Sequence, residues 1–438
     1  MFACLFVWTV PARAQQNVPV VRDAEIEALV TEYAKPILSA AGLDRSGIEI
    51  ILVNDHQFNA FVAGRRIFIH TGALLQTETP NEIIGVIAHE AGHIAGGHQH
   101  RLRDQIARAQ TMSIIAMLLG AGVGVVGAAT DSSGLPGVSA GIMSGGAEAA
   151  RRNLMSYQRT EETTADHSAV EYLERTGQSG RGMLKTFEHL ARNSALAGVN
   201  VDPYRRSHPI PHERIAALKP LVQQSTHYNR EDPPALKLRH QMMRAKIAAY
   251  TAGPNAIQRV FRDDPRGLPA RYADAIDTFL RGSPQHALAK ADRLIESQPN
   301  NPYFHELRGE ILIKANQPRQ AAGAYERALQ LAGSSGLLQV GYGKALLETG
   351  EPNLVRKAAS QLEAGLSKEP DYINGYQFLA RAHGQIGDIG AAELATAEGN
   401  FRAGRYREAR QFAARAQTKL PEGSPNWIRA QDIINYRE

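Results

Sequence analysis

The chain has 438 residues, which is longer than one typical domain, so at least two folded units are expected. Hydrophobic residues make up 43% of it and charged residues 21%, proportions that are ordinary for a soluble globular protein. The net charge of +5 is modest and spread along the chain, so no basic patch for nucleic acid is evident and no nucleic-acid partner is expected.

The first residues have the pattern of a secretion signal. A short apolar run over residues 5–10 is followed by Ala12-Arg13-Ala14, which has the small-x-small pattern of a signal-peptidase site. We therefore predict a signal peptide over residues 1–14. The run is too short to span a bilayer. The single cysteine, Cys4, lies inside this segment, so the mature protein would contain no disulfide bond.

The next segments predict one helix and a small sheet. Apolar residues recur at helical spacing between residues 21 and 43, and residues 48–53 have the pattern of a short strand. Residues 58–62 and 66–70 flank a turn around Gly64 and are predicted to be paired strands. The edge of such a pair can bind an extended peptide, although an ordinary sheet edge has the same pattern.

A helix start follows at residue 79. Thr79 is predicted as the N-cap, Pro80 as the first helical residue and Glu82 as the partner of Thr79 in a capping box. The apolar residues between positions 83 and 87 indicate that this helix is buried.

This helix contains the most informative motif of the chain, HEAGH at positions 89–93. Histidines at positions i and i+4 lie on one face of a helix, so His89 and His93 can reach a single Zn²⁺. Glu90 is placed to act on a water molecule rather than to bind the metal. The alternative is a solvent-facing helix with two incidental histidines, and the apolar neighbours argue against it.

A glycine-rich, apolar insert over residues 111–150 separates this helix from the next candidate ligand. A single membrane span is excluded, because it would place the two ligand-bearing helices on opposite sides of the bilayer. Three interpretations stay open: a mobile lid, a buried helical hairpin, or a peripheral membrane contact through residues 112–146.

The third ligand is predicted in the helical segment 157–166. Glu162 and Asp166 are again four residues apart and share one helical face. One carboxylate can bind the metal while the other accepts a proton from a ligating imidazole. Glu161 is expected to be an ordinary surface residue.

The order of these motifs resembles the gluzincin peptidases related to the CAAX prenyl proteases and the heat-shock membrane protease HtpX. The resemblance is carried by His89–His93, by Arg159-x-x-Glu162-x-x-Ala165-Asp166, by the strands from Asn59 to Gly72, and by Ser207-His208-Pro209 with Glu213-Arg214-Ile215. It covers about half of the chain. Gln158 departs from the family pattern, in which a small hydroxyl residue is frequent, and this affects no ligand.

The resemblance implies a role for each of these positions. The implied zinc ligands, for one Zn²⁺ per chain, are His89, His93 and Glu162, with Glu90 as the catalytic glutamate and Asp166 in contact with a ligating histidine. His208 would lie near the metal, either as a regulatory fourth ligand or as a contact to the transition state. Asn59, Ala60 and Phe61 would bind the substrate backbone.

The C-terminal half repeats. The repeat is carried by Ala287 with Pro299, Ala358 with Pro370, Ala409 with Pro421, and Ala321 with Gly333 in place of the proline. The spacing from Ala287 to Ala321 is the tetratricopeptide period of about 34 residues. Such repeats stack into a curved solenoid with a concave binding face, and residues 427–434 could cap it.

The predicted fold class is α+β, mainly α: a zincin-type metalloprotease domain over residues 15–221, a helical connector over 222–268, and an all-α tetratricopeptide solenoid over 269–438. Repeat-bearing relatives imply a periplasmic zinc metalloendopeptidase, possible membrane association, misassembled or unfolded outer-membrane β-barrel proteins as substrates, and the barrel assembly machinery as partner. The alternative function is a tetratricopeptide chaperone or adaptor that cleaves proteins only occasionally.

Overall fold

The computed structural model of the protein describes residues 19–107, 135–196, 204, 208–209 and 212–437. The predicted signal peptide lies outside these residues, as do positions 108–134 of the chain, which include most of the insert. Residues 135–150, the rest of the insert, form the beginning of a long helix. In the described ranges, no helix is both long enough and apolar enough to cross a membrane.

The N-terminal half contains one small sheet and the helices packed on it. The elements are β1 (Val20–Val21), α1 (Ala24–Ala40), β2 (Glu49–Val53), β3 (Ala60–Ala63), β4 (Arg66–His70), α2 (Thr71–Gln76), α3 (Pro80–Ala95), α4 (Leu135–Arg175), α5 (Arg181–Leu196) and α6 (His212–Gln224). Residues 98–107 are also helical. The strand order is β1-β2-β4-β3, with β2 parallel to β4 and β3 antiparallel to it, so β3 lies at an edge of the sheet.

Two local predictions were wrong in detail. Val21, predicted as the start of the first helix, instead pairs with β2 together with Val20. That helix starts at Ala24, because the Asp23 carboxylate accepts hydrogen bonds from the next backbone N–H groups and forms its N-cap. At the start of α3, Thr79 is the N-cap residue and Pro80 the first helical residue, as predicted, but the Thr79 hydroxyl donates to Glu82 over 3.1 Å and makes no capping hydrogen bond to the backbone.

The C-terminal half consists of antiparallel helices. They are α7 (Pro234–Ile247), a π-helical turn (Ala248–Ala252), α8 (Pro254–Val260), α9 (Leu268–Arg281), α10 (Pro284–Ser297), α11 (Pro302–Lys314), α12 (Pro318–Ala332), α13 (Gly336–Leu347), α14 (Pro352–Lys368), α15 (Ile373–Gln385), α16 (Ile389–Arg402), α17 (Tyr406–Gln417) and α18 (Pro425–Asn435). The predicted α+β peptidase domain followed by an all-α repeat array is thus confirmed.

The alanines that identified the repeats are the buried contact points between helices. Ala287, Ala321, Ala358 and Ala409 are all at most 1% exposed. Their spacing is irregular at the end, because two helices, α15 and α16, separate the helix of Ala358 from that of Ala409. Helix α18 covers the end of the array with Ala430 and Ile433, as the predicted cap should.

Helix α7 packs against both halves of the chain. Met243 and Ile247 belong to the hydrophobic core of the peptidase half. Met242 and Ala245, together with Ala249 in the π-helical turn, belong to the core of the first repeats. The domain division at residue 221 stays a prediction, and α7 links the two halves because it contributes side chains to both cores.

The N-terminal segment of the peptidase half also contacts the repeats directly. Arg22 donates to Glu369, which follows α14, with Nη2 2.5 Å from Oε2. Ala24 packs against Ala328 and Leu338, which lie on successive repeat helices. The two halves are therefore joined by side-chain contacts as well as by the connector.

A buried cluster of charges lies at this junction. The ammonium of Lys246 lies 2.8 Å from Asp23 and 3.4 Å from Glu25. It also lies 3.5 Å from Glu306. Burial raises the pKa of Glu306 from an ordinary 4.5 to about 8 and raises the pKa of Glu310, one helical turn away. One cation thus faces several carboxyl groups, and their simultaneous ionisation is unfavourable.

We expect this junction to lose stability as the pH rises from about 4.5 to about 8. In that window Glu306 keeps its proton in the folded protein and loses it in the unfolded chain, so unfolding is favoured at higher pH. Between about pH 5 and about pH 8.5, the melting temperature of Glu306→Gln should therefore fall less than that of the wild type. The control Glu296→Gln, at an exposed position on α10, should follow the wild type. Equal pH slopes for Glu306→Gln and the wild type would contradict this explanation.

Candidate metal centre

The close crossing of α3 and α4 builds the site. A Cβ at Gly92 would lie 3.0 Å from the carbonyl oxygen of Ala165, so a larger residue here would require the two helices to shift apart by a few tenths of an ångström. The approach places the histidines of α3 opposite Glu162 and Asp166 of α4.

Four side chains point their ligand atoms at one point between the helices. The Nε2 atoms of His89 and His93 lie 3.1 Å apart, and Glu162 oxygens lie 3.3 Å and 3.4 Å from them. His208 Nδ1 lies 3.0 Å from Glu162 Oε1 and 3.4 Å from His89 Nε2. All four ligand atoms lie within 4.8 Å of one another, and this group could hold a metal ion.

These separations suit a tetrahedral ion. Ligand atoms about 2.0–2.2 Å from a zinc ion lie roughly 3.3–3.6 Å from one another in a tetrahedron. The donor set of three imidazoles and one carboxylate also suits zinc, which takes nitrogen and oxygen ligands.

The environment of Glu90 also indicates a site that binds a metal ion and water. Its carboxylate is fully buried, and neither oxygen has a hydrogen-bond partner among the described residues. Buried polar atoms in folded proteins normally have a partner. The His208 imidazole lies close to this carboxylate, with Nε2 3.6 Å from Glu90 Oε1. A carboxylate placed in this way fits a pocket that also admits a metal ion and water.

Asp166 and Arg214 hold His89 from behind. His89 Nδ1 lies 2.9 Å from Asp166 Oδ1, which leaves Nε2 directed at the other ligand atoms. Arg214 donates to both Asp166 oxygens, over 2.5 Å and 2.9 Å, and its Nη1 lies 2.8 Å from Glu162. The Arg214 guanidinium also lies over the ring of Phe187, 5.0 Å from its centroid. Arg214 thus connects both carboxylates of α4.

The charges of this network determine the protonation of its members. Burial lowers the pKa of His89, but Asp166 and Glu162 outweigh it and raise that pKa to about 9. Burial would raise the pKa of Glu162, yet hydrogen bonds from His208, His89 and His93 hold it far below its ordinary value. Burial likewise favours protonated Asp166, and Arg214 and His89 reverse this and lower its pKa. Both carboxylates are therefore ionised at neutral pH.

His93 is supported through a second histidine. Helix α3 ends at Ala95, and Gly97, with φ +65°, turns the chain so that His98 folds back. His98 Nδ1 lies 2.8 Å from His93 Nδ1, and His98 Nε2 lies 2.7 Å from Glu161. The expectation that Glu161 is an ordinary surface residue is wrong, because it anchors this chain of contacts.

The predicted substrate residues lie on the edge strand. Asn59 and Ala60 are buried, and the ring of Phe61 stacks on Phe68 with centroids 4.9 Å apart. Asn59 Nδ2 lies 3.5 Å from His70 Nε2. None of the hydrogen bonds or ion pairs found in the described residues links these three positions to the metal ligands.

The fold and this geometry define a metallopeptidase. Residues 21–222 of the chain are similar to Peptidase family M48, and the protein is a metalloendopeptidase. The predicted resemblance to HExxH gluzincins is confirmed.

The chain is similar along most of its length to β-barrel assembly-enhancing proteases. It is 22% identical over 422 residues to that protease of Escherichia coli (strain K12), covering 93% of this chain and 82% of the relative. It is 25% identical over 430 residues to a putative β-barrel assembly-enhancing protease of Vibrio cholerae, covering 94% and 83%. The crystal structure of the P58(IPK) TPR domain covers 65% of this chain and 94% of its own, at 14% identity and a TM-score of 0.18.

Sequence reasoning assigned no separate function to three residues of the site: His98, Glu161 and Arg214. His98 follows His93 by five residues, a spacing that does not place two side chains on one helical face. Arg214 was part of a recognised motif, but its contacts with α4 depend on the tertiary fold.

We expect Arg214→Met to weaken metal binding by about 10- to 100-fold, as loss of groups that orient ligands does elsewhere. The reason is that Asp166 and Glu162 lose the cation that orients them. Competition with a chelator measures this. Arg175→Met, at an exposed position on the same helix as Glu162, is the control. Unchanged affinity in Arg214→Met would exclude the orienting role.

Proposed function

We propose that this metalloendopeptidase uses one zinc ion, held by His89, His93 and Glu162, to cleave unfolded or misassembled proteins. The observation that carries the proposal is the convergence of these ligand atoms beside Glu90, whose carboxylate has no hydrogen-bond partner among the described residues. When bound, zinc would lower the pKa of a water molecule and polarise the scissile carbonyl.

In this mechanism the chain's own residues move the proton and hold the substrate. Glu90 is the general base that takes a proton from water, and it then delivers that proton to the leaving amine. Its full burial keeps the carboxylate away from bulk solvent. Asp166, oriented by Arg214, keeps His89 in the tautomer that directs Nε2 at the metal. Of the predicted substrate residues, Ala60 in β3 would pair with the substrate backbone as an added strand, with Asn59 and Phe61 on either side of it.

We propose that His208 is a latch on the site. Its Nδ1 lies among the ligand atoms, and its Nε2 points towards Glu90, so it occupies the space that water and substrate need. Pro209 follows His208 and limits its backbone freedom. A contact to the transition state remains the alternative role for this residue.

The biological role proposed here rests on the relatives and the repeats. The similar proteases are named for enhancing β-barrel assembly, and their similarity spans both halves of the chain. We therefore propose a periplasmic protease that acts in outer-membrane protein quality control. In this proposal the concave face of the repeats recruits substrates or the barrel assembly machinery.

Glu90→Gln should abolish cleavage of denatured casein while the protein keeps its metal, because Glu90 acts on water and is not a ligand. His93→Ala should lose both activity and metal. Metal analysis and a gel-based cleavage assay on the same preparations measure this. Loss of metal in Glu90→Gln equal to that in His93→Ala would contradict the assignment. In cells, full function of Glu90→Gln would favour the adaptor over the protease.

His208→Ala should raise basal proteolysis, including cleavage of the protease itself, if His208 is a latch. A drop of about two to three orders of magnitude in turnover would instead show that it stabilises the transition state. His212→Ala, at an exposed position nearby, is the matched control and should behave as wild type. Unchanged activity in His208→Ala would exclude both roles.

A further inference from the structure

The edge of β3 that faces away from β4 carries a defined set of backbone N–H and C=O groups. The Asn59 carbonyl accepts from the N–H of His70, and the register pairs Phe61 with Phe68. Hydrogen bonding alternates along an antiparallel pair, so the backbone groups of Asn59 and Phe61 face β4. Those of Ala60 and Val62 consequently face away from β4, on a side where both residues are buried. In the described residues, no other strand pairs with this side.

A side chain already occupies part of this edge. The Gln99 amide donates from Nε2 to the Val62 carbonyl and accepts at Oε1 from the N–H of Gly64, over 3.0 Å. A residue of an added parallel strand would make the same two bonds, one to residue i and one to residue i+2. Gln99 therefore imitates one residue of an added strand, at the C-terminal end of β3.

Gln99 is held in this place by the metal centre itself. It directly follows His98, which contacts both His93 and Glu161. The backbone that carries Gln99 is thus fixed relative to the helix of the metal ligands. The Gln99 amide therefore has a fixed position at the end of the β3 edge.

We infer that Gln99 is a specificity-determining residue that limits how far a substrate strand pairs along β3. This inference rests on the proposed function, in which the substrate adds to β3. A substrate strand that reaches this edge would pair with the backbone groups of Ala60, but the carbonyl of Val62 already accepts a hydrogen bond from Gln99. The enzyme therefore makes no further backbone hydrogen bonds to a longer substrate on this side.

The test uses peptides built around a cleavage site that the wild-type protein makes in denatured casein. The peptides are lengthened one residue at a time, on each side of the bond separately, and kcat and KM are measured for each. For the wild type, KM should fall with the first residues added on one side of the bond and then stay constant as the peptide is lengthened further on that side. In Gln99→Ala, further residues on that side should lower KM by about three- to tenfold, the effect of about one net hydrogen bond. The kcat should not change.

Two further variants make the result specific. Gln99→Glu keeps the size of the side chain but places a carboxylate oxygen against the Val62 carbonyl, so it should have the KM profile of Gln99→Ala. Gln105→Ala, the same substitution in the same helical segment, should keep the wild-type profile. Metal content should be equal in all of them.

The outcomes separate this inference from the proposed function. A wild-type protein that cleaves neither casein nor any peptide would contradict the proposed function, and this inference would fail with it. Cleavage with the same length dependence in wild type and Gln99→Ala would contradict the inference alone. A uniform drop in kcat and metal content at all lengths would show that Gln99 only supports the fold.

Discussion

The crossing of α3 and α4 at Gly92 is the contact on which the rest of the site depends. The histidines come from one helix and the acidic ligand from another that follows a long insert, so only tertiary packing brings them together. The absence of a side chain at Gly92 lets the Ala165 backbone approach to within contact distance. A side chain at Gly92 would press on the backbone of Ala165, on the helix that carries Glu162, and metal ligands tolerate little displacement because bond lengths to the ion are defined.

The cost of burying so many charges is offset within the same cluster. Glu162 and Asp166 are almost fully buried and ionised, and Arg214 contacts both of them. Isolated buried carboxylates would be strongly unfavourable, whereas paired and hydrogen-bonded ones are tolerated. The same network fixes His89 from behind, while Glu161 acts on His93 through His98. His89 therefore contacts a carboxylate directly, and His93 is connected to one through the imidazole of His98.

The parts of this architecture with local signatures were predictable from the sequence. The HExxH helix and the Glu162–Asp166 pair follow from helical spacing, and the repeat array follows from its recurring alanines. What the sequence did not indicate depends on long-range contacts. The role of Glu161 requires the turn at Gly97 to return His98 to the site. The packing of α7 against two cores could not be predicted from periodicity either, because the adjacent residues Met242 and Met243 enter different cores.

The central claim is that the converging His and Glu side chains form a zinc centre that performs the cleavage. The most direct measurement is a titration of chelated, metal-free protein with zinc, with bound zinc and casein cleavage recorded in the same samples. The account predicts that cleavage is absent without metal, rises in proportion to bound zinc, and reaches its maximum at about one zinc per chain. Full cleavage by the metal-free protein, or saturation with zinc that restores none, would contradict it.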